Sequence, residues 1–155
     1  MKPTKAQRSK SEVLYHDIVH ANGEINFLSP IVSKKLWGSE HLVTNTEKYC
    51  VKVMTVKPGT QVSLHFHMKK EETFILVSGQ LIVETLSGKD CKKSYACLSK
   101  VGDAITLKPG TPHTFYCPDD QVGSTVFVEA STQDFADDSY RIYQSKTIDS
   151  GGSDS

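Results

Sequence analysis

The chain has no excess of charge. Its 155 residues carry 18 Lys and Arg against 18 Asp and Glu. No basic stripe is present either, so the electrostatic footprint of a nucleic-acid-binding protein is missing. No apolar run approaches the roughly 18 residues that a bilayer-spanning helix needs, which speaks against a membrane protein. The basic N-terminus, Met1 to Lys10, has no apolar segment behind it of the kind a signal peptide requires, and a cytoplasmic location is expected. The four cysteines, Cys50, Cys91, Cys97 and Cys117, form no Cys-x-x-Cys pair. Reduced thiols are expected, with Cys50 and Cys117 in apolar strands. Cys91 and Cys97 flank a possible hairpin and are able to pair if oxidised. No repeat of the helical-solenoid type is visible.

What is present is a succession of short strand-like runs. They fall at about 41–44, 48–56, 62–67, 72–77, 80–86, 95–99, 104–107, 113–117 and 124–131. Turn residues separate them, among them Pro58-Gly59, Ser78-Gly79, Ser87-Gly88 and Pro109-Gly110. Many short strands at this spacing indicate an all-β sandwich or barrel. Gly59 and Gly110 are placed to take positive φ in turns that start the two most distinctive segments. Before the strands, residues 11–21 have Val13, Leu14 and Ile18 near helical spacing and end at Asn22-Gly23, which predicts a short helix. Phe27 to Leu36 is apolar but interrupted by Pro30, and reads as an irregular arm. The length suits one domain, residues 1–149, with an arm over 1–39, a barrel core over about 40–132 and a flexible Gly/Ser tail at 150–155.

The chemistry-bearing residues concentrate in two segments. The first holds His65, His67, Glu71 and Glu72, and the second holds His113. Alternate residues of a strand share a face, so His65 and His67 can grip one ion from a single strand. Adjacent residues face opposite ways, so only one of Glu71 and Glu72 can enter the same site. Three imidazoles and a carboxylate suit one divalent ion of Mn, Zn, Fe, Co or Ni, with open positions left for a substrate.

Gly59, His65, His67, Glu72 and Gly79 occupy every fixed position of the first cupin motif. Gly102, Pro109, Gly110 and His113 fit the second, with Lys108 where Pro is usual and Cys117 where Asn is frequent. The sequence thus resembles the cupin superfamily, which implies a double-stranded β-helix, or jelly-roll barrel. The resemblance also selects Glu72 over Glu71 as the carboxylate ligand. A narrower resemblance, to small D-lyxose ketol-isomerases, rests on Asn45 to Cys50, Lys70 to Phe74, Val128 to Thr132 and Arg141-Ile142. Trp37-Gly38-Ser39-Glu40 resembles the segment opening the cupin domain of phosphomannose isomerases. The insertion that the lyxose isomerases carry between the second His and the Glu is missing here.

That narrower resemblance implies a metal-dependent aldose–ketose isomerase working through an enediol. It casts Glu129 as general base and Lys70 as acid or sugar-oxygen contact; Lys70 otherwise reads as a solvated loop residue. Thr125, Phe127 and Glu129 share one face of an apolar strand, so Glu129 is either solvated or in a cavity. Tyr49, Lys52, Phe66, Phe74, Phe115 and Arg141 are candidate pocket residues, with core packing the alternative for the aromatics. His16, His20 and His41 read as surface or arm residues. An iron-dependent dioxygenase and a non-catalytic sugar-binding cupin remain open as functions. The partner expected is a small molecule, a sugar above all, together with a second copy of the chain: the apolar arm from Ile25 to Trp37 is suited to close a two-fold dimer.

Overall fold

The computed structural model describes residues 28–148, and in these it has thirteen strands and no helix. The helix expected over 11–21, with His16 and His20, and the tail at 150–155 lie outside the described residues. Six strands hydrogen-bond in the order β1 (Ile31–Lys35), β2 (Gly38–Asn45), β3 (Cys50–Val56), β11 (Thr125–Ser131), β6 (Glu72–Ser78) and β9 (Ala104–Leu107). The second sheet follows β12 (Tyr140–Tyr143), β5 (Leu64–Phe66), β10 (His113–Tyr116), β4 (Thr60–Gln61) and β13 (Lys146–Thr147). In it β7 (Leu81–Ser87) also pairs with β10, and β8 (Lys92–Leu98) pairs with β7. Every strand ladder is antiparallel. This is the jelly-roll architecture that the two-motif resemblance implies.

Residue alternation decides what lies inside. On β3 the buried positions are Cys50, Lys52, Met54 and Val56; on β6 they are Glu72, Phe74 and Leu76; on β11 they are Thr125, Phe127 and Glu129. Register lines them up, with Phe127 opposite Met54 and Leu76, and Glu129 opposite Lys52 and Phe74. Each inward face is therefore apolar at one end and charged at the other. The apolar ends meet Val62, Leu81, Val83, Leu98 and Phe115 of the second sheet. Phe74, Phe115 and Phe127 pack mutually at ring separations of 4.9–5.3 Å, within the range aromatic pairs favour. The charged ends open a cavity beside this core.

Several local expectations change. Residues 31–35 are not an irregular arm but strand β1, folded onto the chain's own β2. Pro30 sits just before the strand, where a missing N–H removes no ladder bond. The sheets also extend past 132, because β12 and β13 return along β5 and β4. These strands are short and exposed, so no alternation marks them in the sequence. Gly59 and Gly110 do take positive φ, at 71° and 80°. All four cysteines are unbridged, Cys50 and Cys117 buried, Cys91 and Cys97 exposed.

Among the described residues, Gly38 is the most constrained glycine. Its φ is 148°, and a Cβ there would lie 1.8 Å from the Thr55 carbonyl oxygen, a backbone atom that cannot swing aside. Gly38→Ala is expected to destabilise the fold by about 2–4 kcal/mol, through forced separation of β2 from β3. The check is a urea melt, in which the midpoint should fall at unchanged slope. An unchanged midpoint would show that the close approach is not needed.

Candidate metal centre

His65 lies on β5, His113 on β10, and the two are directly paired in register. His67 follows β5 by one residue and Glu72 opens β6. The three imidazoles bring ligand atoms within 4.8 Å of one another. Each ring is aimed by the same device. His65 Nδ1 is 2.8 Å from the Ser63 carbonyl oxygen, His113 Nδ1 is 2.9 Å from that of Thr111, and His67 Nδ1 is 2.7 Å from that of Asp138. A carbonyl oxygen only accepts, so Nδ1 carries the proton in all three rings and Nε2 of the neutral ring is left as a lone pair. Burial, reinforced by His113, lowers the His65 pKa to about 3. Burial and the Lys70 cation also lower that of His67. These two rings are thereby held in the form that binds metals.

Glu72 completes the cluster. Its Oε1 is 2.7 Å from His113 Nε2 and its Oε2 is 3.8 Å from His67 Nε2. The 2.7 Å approach lacks hydrogen-bond geometry: Glu72 Oε1 and His113 Nε2 are both buried and both without a hydrogen-bond partner. Two lone pairs facing each other at that distance repel unless a cation stands between them. The orphaned pair, with three oriented imidazoles, fits a divalent ion held by His65, His67, Glu72 and His113. Burial works against the Glu72 charge, but the Lys70 ammonium 3.0 Å away keeps the carboxylate ionised.

The centre lines a cavity of about 350 Å³ whose remaining walls combine charged residues with apolar ones such as Trp37, Met54 and Phe115. Lys70 is not a solvated loop lysine. It is buried, and its Nζ lies 2.8 Å from Glu129, 3.0 Å from Glu72 and 3.3 Å from Asp134. Burial works against its charge, but Glu129 and Glu72 prevail and hold it protonated. Glu129 faces the cavity and is 4% exposed. Burial and the nearby Glu72 charge push its carboxyl up to about 7, with Lys70 opposing. Lys52 bridges Asp134 at 2.9 Å and Glu40 at 3.3 Å.

Of the other pocket candidates, Lys52, Phe74, Phe115 and Arg141 line the cavity. Phe74 and Phe115 belong to the core as well. Tyr49 does not reach the cavity. It sits half-exposed on the β2–β3 turn, where the Thr46 hydroxyl accepts from its N–H. Phe66 lies between two inward histidines and so faces the other way, stacked on Tyr140 at 5.1 Å. His41 is on β2 opposite Val53 and outside the cavity. Glu71 faces outward and pairs with Lys108 at 3.0 Å.

Three acidic residues were not legible as site residues: Glu40, Asp134 and Asp138. Asp138 matters most. Its buried carboxylate accepts from the backbone N–H groups of Met68, Lys69 and Lys70 at 2.9–3.2 Å, fixing the loop between His67 and Glu72. The same residue's carbonyl orients His67. Asp138→Ala leaves three N–H donors without their acceptor, at a cost of about 1–3 kcal/mol each where water cannot replace it. The backbone carbonyl that orients His67 is kept, but the loop from His67 to Glu72 is released, and metal affinity is expected to fall by roughly 10–100-fold. Calorimetric metal titration checks this; affinity equal to wild type would mean the loop holds its shape unaided.

The sequence profile of the cupin domain matches residues 52–129. Among curated proteins, no sequence matches the chain significantly. Solved structures do. The capsular polysaccharide assembling protein CapF of Staphylococcus aureus superposes with a TM-score of 0.66 at 20% identity, over 78% of this chain and 33% of that one. The oxalate decarboxylase of Lactobacillus farciminis, solved as a formate complex, gives 0.64 at 20% identity, over 78% and 38%. A variant of the Bacillus subtilis oxalate decarboxylase OxdC gives 0.63 at 14% identity, over 92% and 40%. The chain thus spans about two fifths or less of the length of these proteins, and at such identities the likeness is one of fold. Among the described residues, no helix is long and apolar enough to cross a membrane.

Proposed function

The chain belongs to the cupin-domain family, and from that premise we propose a metal-dependent aldose–ketose isomerase of the D-lyxose isomerase type, acting through an enediol. The observation that carries the reading is Glu129: a buried carboxylate in the same cavity as the three-His cluster, joined to Glu72 through Lys70. Isomerisation moves a proton between neighbouring carbons, and needs one carboxyl able to accept and return it near neutral pH. Glu129, held at about 7, has that property. Its Oε1 is 2.8 Å from the Lys70 ammonium, which steadies the carboxylate before it takes the proton.

A divalent ion at His65, His67, Glu72 and His113 would supply the Lewis acidity that polarises the carbonyl. The protein does the rest. Lys70 ties Glu72, Glu129 and Asp134 together through its three donors, and Lys52, Glu40 and Asp134 form a fixed polar wall. Trp37 and Phe115, edge to face at 6.0 Å, close the apolar side. A wall this rich in charge suits a polyhydroxylated substrate better than the apolar aromatic one that a dioxygenase reading invokes.

The test is solvent deuterium. Metal-reconstituted protein in D₂O should place deuterium beside the carbonyl of an aldose or ketose during turnover. No exchange with any sugar under Mn, Co, Zn, Ni or Fe sinks the isomerase reading. A cytoplasmic setting belongs to the same proposal, and four unbridged cysteines suit a reducing compartment. So does a two-fold homodimer: β1 ends its sheet, with Ile31 and Val32 67% and 52% exposed. Light scattering at micromolar protein is expected to give twice the chain mass. A monomer mass removes this part.

A further inference from the structure

We propose that the substrate carries an anionic group, a carboxylate or a phosphate, held at the cavity mouth by Arg141 and Lys35. The first ground is the distribution of charge. Four cations and four carboxylates line the cavity. All four carboxylates are engaged by buried cations: Glu40 and Asp134 with Lys52, and Asp134, Glu129 and Glu72 with Lys70. Lys35 and Arg141 form no ion pair among the described residues. The protein's own charges therefore balance within the cavity. A divalent ion makes it net positive, and the two uncommitted cations are exposed residues of the cavity wall.

The second ground is position. Arg141 on β12 is directly opposite His65 on β5, as His113 on β10 is from the other side. Opposed residues of antiparallel strands share a face, with Cβ atoms about 4.5–5.5 Å apart. The row His113, His65, Arg141 thus runs from the metal cluster to the exposed mouth on a single face. A guanidinium there reaches one end of a small molecule whose other end lies at the cluster. Its planar fork matches a carboxylate or phosphate with two parallel hydrogen bonds, which a hydroxyl cannot equal. Lys35 lies two residues before Trp37, and both side chains line the cavity.

The inference rests on the isomerase reading for the sugar but not for the anion, and the two can fail separately. Trp37 is the chain's sole tryptophan, so its fluorescence reports binding without turnover. Metal-loaded protein is titrated with inorganic phosphate, a hexose 6-phosphate, a hexuronate and the parent hexose. At least one anionic sugar is expected to bind roughly 10- to 100-fold more tightly than the hexose, the worth of charge-assisted hydrogen bonds. Whether phosphate or uronate wins identifies the anion. Arg141→Gln should remove that advantage while leaving metal binding as it was. Equal affinity for charged and neutral sugars, no binding by any probe, or anion binding that survives Arg141→Gln and disappears with the metal would each overturn the proposal. Anion binding through Arg141 without deuterium exchange supports it and refutes the isomerase reading alone.

Discussion

Glu129→Gln is expected to keep the fold and the bound metal and to slow proton transfer by a factor on the order of 10²–10⁴. The amide matches the carboxylate in size, so the face that places Phe127 and Thr125 in the core is undisturbed. What is lost, on the proposed isomerase reading, is the group that accepts the proton. Lys70 would keep Glu72 at 3.0 Å and Asp134 at 3.3 Å, so its own position is held from two sides. Melting temperature and metal content should therefore stay near wild type while deuterium exchange into the sugar stops. If exchange continues at the wild-type rate, the base lies elsewhere. If metal is lost as well, Glu129 supports the centre instead of the chemistry.

His67→Ala should have the opposite signature. It removes one of four candidate ligands and leaves Glu129 and Lys70 in place. Taking a four-ligand site as worth about 10–16 kcal/mol, one ligand contributes about 3–4 kcal/mol, or roughly 10²–10³-fold in affinity. The loss is best read by calorimetric titration of the apo protein, with the stabilisation of the fold by metal falling in step. Unchanged affinity would mean that His65, Glu72 and His113 bind without it. The two variants together separate coordination from proton transfer.

The centre was legible because strand parity is strict. A His-x-His pair has to share a face, Glu71 and Glu72 have to part, and Glu129 has to follow Phe127 inward; the structure places all of them so. The resemblance to cupins supplied the partner of that pair, His113, more than forty residues away. What escaped was non-periodic. Asp134 and Asp138 are carboxylates in an irregular loop, with the composition of a solvated turn, and only the fold brings them to Lys70 and to the loop after His67. Lys70 is ambiguous for the same reason, since its burial depends on Glu129 and Asp134 arriving from elsewhere. Tyr49 shows the converse error: an aromatic in a stretch that resembles an isomerase, carried by a turn that points it outward. Pro30 misled because proline interrupts a ladder only within a strand, not one residue ahead of it.

The three histidines also differ in when they can be made ready. The carbonyls that orient His65 and His113 lie two residues upstream in each case, so those rings can be set locally. The carbonyl that orients His67 is 71 residues downstream, in Asp138. At synthesis rates of about 5–20 residues per second, that partner arrives roughly 4–14 s after His67 itself. The centre is therefore among the last parts of the molecule to mature, and a growing chain presents two aimed imidazoles and one unaimed until the segment leading into β12 has docked. Capture of the proposed ion would then report completion of the fold, because a chain shortened before Asp138 lacks the carbonyl that aims His67.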